Sequence, residues 1–239
     1  MVSKSQIKLI LSLSQKKYRN KHGLFVAEGI KVINELINSS FKLSLLLTAE
    51  GFFEEISTRI IITDRELKSI SNLSTPQKAL AIFEIPQASA IKVDTLVVAL
   101  DGVRDPGNLG TIIRLCDWFG VKQLLCSHDT VDAYNPKVIQ ATMGSIARVE
   151  VHYLDLKAFV INSSIPVYGT FMDGVAVQHE ELSSPAVLVL GNEANGISNE
   201  VEDAVTSRIS ISPYGKNPQT ESLNVATAAA IFLHEFRRG

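Results

Sequence analysis

Apolar residues recur along this chain with two different periods, and the switches between them mark its elements. Ile7, Ile10, Leu11 and Leu13 stand at helical spacing within 3–15. The stretch 16–22 is polar and reads as a connector, and 24–27 is a short apolar run. A second helical pattern covers 28–37, with Ile30, Ile33, Leu36 and Ile37 inward. Strand-like runs follow at 41–48 and 59–63. Next come a helix capped by Asp64, with Leu67 and Ile70 inward, and a strand at 79–85 closed by Pro86. Strands alternating with helices predict a small α/β domain.

Residues 86–94 read as a linker, which puts the domain boundaries at 1–88 and 94–239. The alternation then restarts with stronger strands. The run 95–100 is continuously apolar and β-branched, the pattern of a parallel strand buried on both faces. A helix at 108–119, a strand at 122–126 and a helix opened by Asn135, with Pro136 in its first position, come next. Strands at 167–171, 186–190 and 208–211 and a helix at 221–237 complete the pattern. In an open parallel sheet, ligands bind beyond the carboxyl ends of the strands. Three loops start there, 101–110, 191–198 and 212–222. Each is rich in Gly, Asn, Ser or Pro, and each leads into a helix.

Composition narrows the class. A hydrophobic content of 46% over 239 residues supports one or two cores, and 20% charged residues without long biased tracts argues against disorder. No apolar run approaches the roughly 20 residues of a membrane helix. The opening stretch is interrupted by serines and lacks a small-residue cleavage site, so it does not read as a secretion signal. Cys116 and Cys126 have no metal-ligand spacing and read as small buried hydrophobes in a reducing compartment. A cytoplasmic protein without a metal site is expected.

Charge adds an asymmetry. The net charge is −2, yet residues 1–42 hold eight Lys/Arg and two acids, leaving −8 for the remainder. This suggests that the N-terminal part meets a polyanion, against the equally common reading of a solvated helix face. Lys16, Lys17, Arg19 and Lys21 are the candidate phosphate contacts.

Each loop taken singly has a plain structural reading. Asn108 is a helix cap, Arg114 a surface charge, Glu193 a turn residue and Ser222 another cap. Together, Asn108-Leu-Gly-Thr-Ile-Ile-Arg114, Gly191-Asn-Glu193 and Ser222-Leu-Asn-Val225 resemble an N-x-G-x-x-x-R motif, a G-x-E motif and an S-L-N-V motif, in that order. These are the motifs of the SpoU (TrmH-like) family of RNA 2′-O-ribose methyltransferases, within the SPOUT superfamily. The resemblance covers roughly 94–239. The part before it, including Phe25-Val-Ala-Glu-Gly29, looks like the small α/β substrate-binding domain often fused in front.

The resemblance implies a SPOUT-type parallel-sheet catalytic domain whose C-terminal segment forms a trefoil knot. It implies a homodimer, S-adenosylmethionine as cofactor and rRNA or tRNA as substrate. Asn108, Arg114, Glu193, Ser222 and Asn224 become the catalytic set, and Gly191, Ile211 and Leu223 line the cofactor pocket. The family proposal makes Arg114 the base. A guanidinium hardly deprotonates, so the alternative is that Arg114 binds a phosphate and stabilises an alkoxide while phosphate or water takes the proton. Asn108 would orient the ribose or Arg114, and Glu193 would hold Arg114 or a partner arginine. One departure stands out. Many relatives read Ile-Pro-Met after the last strand, whereas this chain reads Ile211-Ser212-Pro213 with extra length at 216–219, which bears on the pocket at 212–220.

Two rival readings are weaker. An ordinary dinucleotide-binding domain needs G-x-G-x-x-G tightly after its first strand. Here the loop before Asn108 is too long and the third glycine is missing, although Asp129 mimics the ribose-binding acid. A non-catalytic RNA-binding protein would have no need of the five motif side chains.

Overall fold

The computed structural model describes residues 2–214 and 222–238. The loop extension at 216–219, and with it most of the pocket departure expected at 212–220, lies outside the described residues. The chain forms two compact units, 1–87 with 132–147, and 88–131 with 148–239.

The first unit opens with α1 (Lys4–Ser12), whose cap Ser3 accepts the Gln6 amide while the Gln6 side chain accepts the Ser3 amide. Next is α2 (Lys16–His22), where the polar pattern predicted a connector. Its only buried residue is Arg19, so no apolar period betrays it. Gly23, at φ +64°, ends it by donating its amide to the Arg19 carbonyl at 2.7 Å. The strands β1 (Leu24–Glu28), β2 (Leu43–Thr48), β3 (Ile60–Ile61) and β4 (Ala79–Glu84) form a sheet in the order β1-β4-β2-β3. The strand β4 is antiparallel to β1 and β2, and β3 is parallel to β2. The helix α3 (Ile30–Ile37) buries Ile33 and Leu36 as expected, but Val32 rather than Ile30 or Ile37. The helix α4 (Asp64–Ile70) is capped by Thr63 in a capping box with Glu66, so Asp64 is its first residue and not its cap. Ile10, Leu13, Val26, Leu47, Leu67, Leu80 and Ile82 share the core.

The same unit takes in residues 132–147, which come from the second half of the chain. They carry α6 (Pro136–Thr142), with Asn135 as cap and Pro136 in the first position as expected, and a 3-10 turn at Ser145–Ala147. Tyr134 packs on Phe25 with ring centroids 5.0 Å apart. The reading of boundaries at 1–88 and 94–239 does not include this excursion, because hydrophobic pattern along a chain does not report which core a segment joins.

The second unit contains β5 (Leu96–Leu100), α5 (Pro106–Trp118), β6 (Gln123–Ser127), β7 (Glu150–Leu154), α7 (Leu156–Ile161) and β8 (Val167–Ala176). It continues with β9 (Ala186–Leu190), α8 (Asn199–Glu202), β10 (Ser207–Ser210) and α9 (Val225–Arg237). Its sheet runs β10-β8-β9-β5-β6-β7, every pair parallel. Every residue of β5, β6 and β9 is buried, as the continuous apolar runs of β5 and β9 require, and β6 also buries the polar Gln123 and Ser127 at its two ends. The hydrophobic pattern left 150–161 unassigned, because β7, at the sheet edge, is only half-buried. Cys116 and Cys126 are buried and unbridged, and loss of hydration pushes the Cys116 thiol up to about 12 and raises the Cys126 thiol as well. Among the described residues, no helix is long and apolar enough to cross a membrane.

Candidate active site

The strands β5 and β9 are neighbours in register, with Leu100 beside Leu190. The loops that leave their carboxyl ends therefore start side by side, and the Asp101 amide donates to the Leu190 carbonyl at 2.9 Å. Two further bonds tie the loops together. The Asp101 carboxylate, 9% exposed, accepts the Ser198 amide at 2.7 Å, and Asn192 Nδ2 donates to the Gly102 carbonyl at 2.6 Å. The second loop also closes on itself, through Asn192 N to Gly196 O at 2.8 Å and Gly196 N to Asn192 O at 3.0 Å. A Cβ at Gly191 would lie 2.2 Å from the Gly196 backbone carbon, so only glycine fits the start of this loop.

The first loop turns into α5 at Asp105. Its side chain accepts the Asn108 amide at 2.8 Å, and Pro106 follows in the first helical position. Asn108 is therefore not the cap, and its side chain is free for other work. Its Nδ2 donates to Glu193 Oε1 at 2.9 Å, and its Oδ1 accepts from Asn224 Nδ2 at 2.9 Å. Asn224 in turn caps α9, its Oδ1 accepting the amides of Ala226 at 3.0 Å and Thr227 at 3.2 Å. The helix expected from 221 thus starts at Val225, with Asn224 as cap in place of Ser222.

Three motifs far apart in sequence are joined by one directional chain, Asn224 to Asn108 to Glu193. Its end must be an acceptor, so Glu193 belongs there as a carboxylate. Burial raises the Glu193 pKa, but bonds from the Asn108 side chain and from nearby backbone amides, including those of Arg104 and Asp105, outweigh it and leave a net lowering.

Other expected residues lie apart from this chain. Arg114 is exposed and its guanidinium has no partner among the described residues. Six residues along α5 turn it about 240° from Asn108 at 3.6 residues per turn. Of the two expectations for Glu193, Arg114 of the same chain or a partner arginine, the first is not met: the carboxylate accepts from Asn108. Ser222 is exposed, Leu223 is 46% exposed and Ile211 is half-buried. Since β9, β8 and β10 are parallel neighbours, Gly191 and Ile211 leave the same sheet edge about 10 Å apart, two strand spacings. Among the described residues, no group of three or more His, Cys, Asp or Glu is placed to hold a metal.

In the first unit, Lys16, Lys17 and Lys21 are exposed. Arg19 is not, and its place among the phosphate contacts is corrected. It is 1% exposed, its Nε donates to Asp132 at 2.8 Å, and Nη1 donates to the carbonyls of Leu13 and Ser14, each at 2.9 Å. Each of its three nitrogens donates within the protein, and the side chain has almost no contact with solvent. Glu28 likewise is structural: it accepts the Asn72 amide at 2.8 Å and the Ser71 hydroxyl.

The sequence reading passed over Asp101, Asn192 and Asp105. Their one available signal was position. Asp101 directly follows a continuous apolar strand, and Asn192 stands between two motif residues.

Comparison with known proteins finds similar chains and folds. The SpoU rRNA Methylase family model matches residues 95–234, and the MRM3-like substrate binding domain matches 4–81. The chain is 29% identical over 234 residues to the 23S rRNA (guanosine(2553)-2′-O)-methyltransferase of Bacillus subtilis, covering 94% of this chain and 93% of that one. A TrmH-family structure from Porphyromonas gingivalis superposes with a TM-score of 0.92 at 37% identity, covering 100% and 99% of the two chains. The AdoMet-bound rRNA methyltransferase of Sinorhizobium meliloti superposes with a TM-score of 0.87 at 29% identity, covering 100% and 97%.

Proposed function

The chain belongs to the SpoU rRNA methylase family, and from that membership we propose that it methylates a ribose 2′-hydroxyl of ribosomal RNA, using S-adenosylmethionine. The observation that carries this reading is the hydrogen-bonded chain Asn224–Asn108–Glu193, which gathers the three motifs at the carboxyl edge of a parallel sheet. Ribosomal rather than transfer RNA is favoured by the named activity of the Bacillus subtilis relative.

The residues present fit the cofactor. The loop at 191–197 offers backbone groups at close range, because glycine at 191 lets it fold tightly on itself. Ile211 and Leu223 keep open apolar surface, the lining an adenosyl group needs. When bound, S-adenosylmethionine supplies an electrophilic methyl group on sulfonium. The chain's own task is to orient the ribose and shape the field around its hydroxyl. Asn108, locked at both ends of its amide, is a rigid positioning group. Arg114, exposed and without a partner among the described residues, binds an RNA phosphate and stabilises the developing alkoxide. The hydroxyl proton leaves to phosphate or water. Ser222 completes the hydrogen bonding around the ribose.

The reading extends to assembly. The N-terminal unit binds RNA, supported by its substrate-domain match and by exposed Lys16, Lys17 and Lys21. The C-terminal segment forms the trefoil knot of the family. The enzyme works as a homodimer, supported by Trp118, 85% exposed at the end of α5. Its place is the cytoplasm. Calorimetry with S-adenosylmethionine, together with a labelled-methyl assay on protein-free ribosomal and transfer RNA and mapping of the modified ribose, tests the proposal. Absence of cofactor binding or of 2′-O-methylation overturns it.

A further inference from the structure

Around Asn108 the site presents more acid than base. Asp105, Asp129 and Glu193 all stand on the loops at the ends of β5, β6 and β9, and a polyanion reaching Asn108 must pass them. Arg114 lies further along α5, turned away from Asn108. Among the described residues of these loops, Arg104 is an arginine directly before the cap of α5. Its amide points to Glu193 at 3.4 Å, which fixes its backbone beside the motif chain. Its side chain is 68% exposed and touches Asp129 only through Nη2, at 3.5 Å.

The two halves of this pair are held very differently. The other oxygen of Asp129 accepts the Ser127 hydroxyl at 2.6 Å, and Ser127 also accepts the Gly102 amide at 2.8 Å, so the carboxylate is built into the framework. Among the described residues the guanidinium makes one long contact, at the edge of hydrogen-bond range, and the side chain is otherwise largely open to solvent. Such an exposed pair gives way readily to a better acceptor. A phosphodiester is one, since its two free oxygens match the planar guanidinium fork.

We propose that Arg104 is an RNA-phosphate ligand of the active site, parked on Asp129 until the substrate backbone displaces it. The inference rests on the functional reading above and adds a second arginine to it. Arg104 and Arg114 then receive the RNA strand from the two ends of the segment that carries Asn108. A role toward the cofactor is disfavoured because the guanidinium opens outward to solvent.

The test measures binding of protein-free 23S ribosomal RNA across a salt series, S-adenosylmethionine binding by calorimetry, and methyl transfer, for the wild type and three variants. Arg104→Ala is expected to raise the RNA Kd and KM about tenfold with kcat nearly unchanged. It lowers the slope of log K against log salt by about 0.7, one phosphate contact on single-stranded RNA. Arg104→Lys keeps that slope and recovers part of the affinity, having charge without the fork. Asp129→Asn moves the other way and tightens RNA binding several-fold. Cofactor affinity stays within about twofold throughout. If Arg104→Ala leaves RNA affinity and its salt slope unchanged, or weakens S-adenosylmethionine binding instead, the inference fails while the functional reading stands. Weaker RNA binding by Asp129→Asn overturns the parked arrangement. A wild type that methylates neither ribosomal nor transfer RNA overturns the functional reading, and this inference with it.

Discussion

Two arginines, one in each unit, teach opposite lessons about charge in sequence. Arg19 sits among lysines in a basic stretch and looks like a hand held out to phosphate. Arg114 sits on a helix and, alone, looks like ordinary surface charge. In the folded chain Arg19 is buried, each of its three nitrogens bonded to Asp132 or to a backbone carbonyl, whereas Arg114 is exposed with no partner among the described residues. A guanidinium is available for chemistry only where the fold leaves its donors unspent. Arg19 therefore belongs to stability, and Arg114 is the arginine proposed for function.

The contrast is sharpest if removing each arginine moves only one observable. Arg19→Ala leaves the largely shielded Asp132 without its cation and two carbonyls without their donor, so urea unfolding should show a loss of about 3 kcal/mol. Methyl transfer per folded molecule should be retained, and a loss below 1 kcal/mol would break the distinction. Arg114→Ala should do the reverse. Transfer is expected to fall by about 10²–10³-fold, the usual cost of one lost stabilising donor at a developing oxyanion. Cofactor binding by calorimetry and the unfolding midpoint should both stay put.

A smaller effect separates the exposed lysines from Arg19. The double charge reversal Lys17→Glu and Lys21→Glu should weaken RNA binding several-fold at low salt, with little change near 0.5 M salt and none in stability. The smallest effect concerns pH. The Glu193 pKa is lowered in the fold from its ordinary value of 4.5, so its contribution to stability is present above that value and lost as pH falls through the lower folded value. Melting temperatures of the wild type and Glu193→Gln should therefore differ at pH 6 and converge toward pH 3. A constant gap would mean that the carboxylate charge is not what Asn108 recognises.

The parallel sheet was legible because its central strands are buried on both faces and so are written as unbroken apolar runs. The strand at Ala186–Leu190 was read to the residue. The half-buried edge strand β7 and the polar helix α2 were not, since neither buries a periodic apolar face. The candidate site was legible as three loops, and the resemblance named its residues. Which of them touch was beyond sequence: the partner of Glu193 turned out to be Asn108 rather than Arg114.

By itself, then, the sequence determined local things: where apolar period starts and stops, which turns need glycine or proline, and which motif each loop carries. Only the tertiary structure decided the non-local ones. It assigned residues 132–147 to the N-terminal unit, buried Arg19 against an aspartate 113 positions away, and closed the Asn224–Asn108–Glu193 chain across 116 and 85 positions. The physical reason is that burial and hydrogen-bond partnership depend on distance in space. Periodicity reports only which face of an element turns inward, not what it meets there.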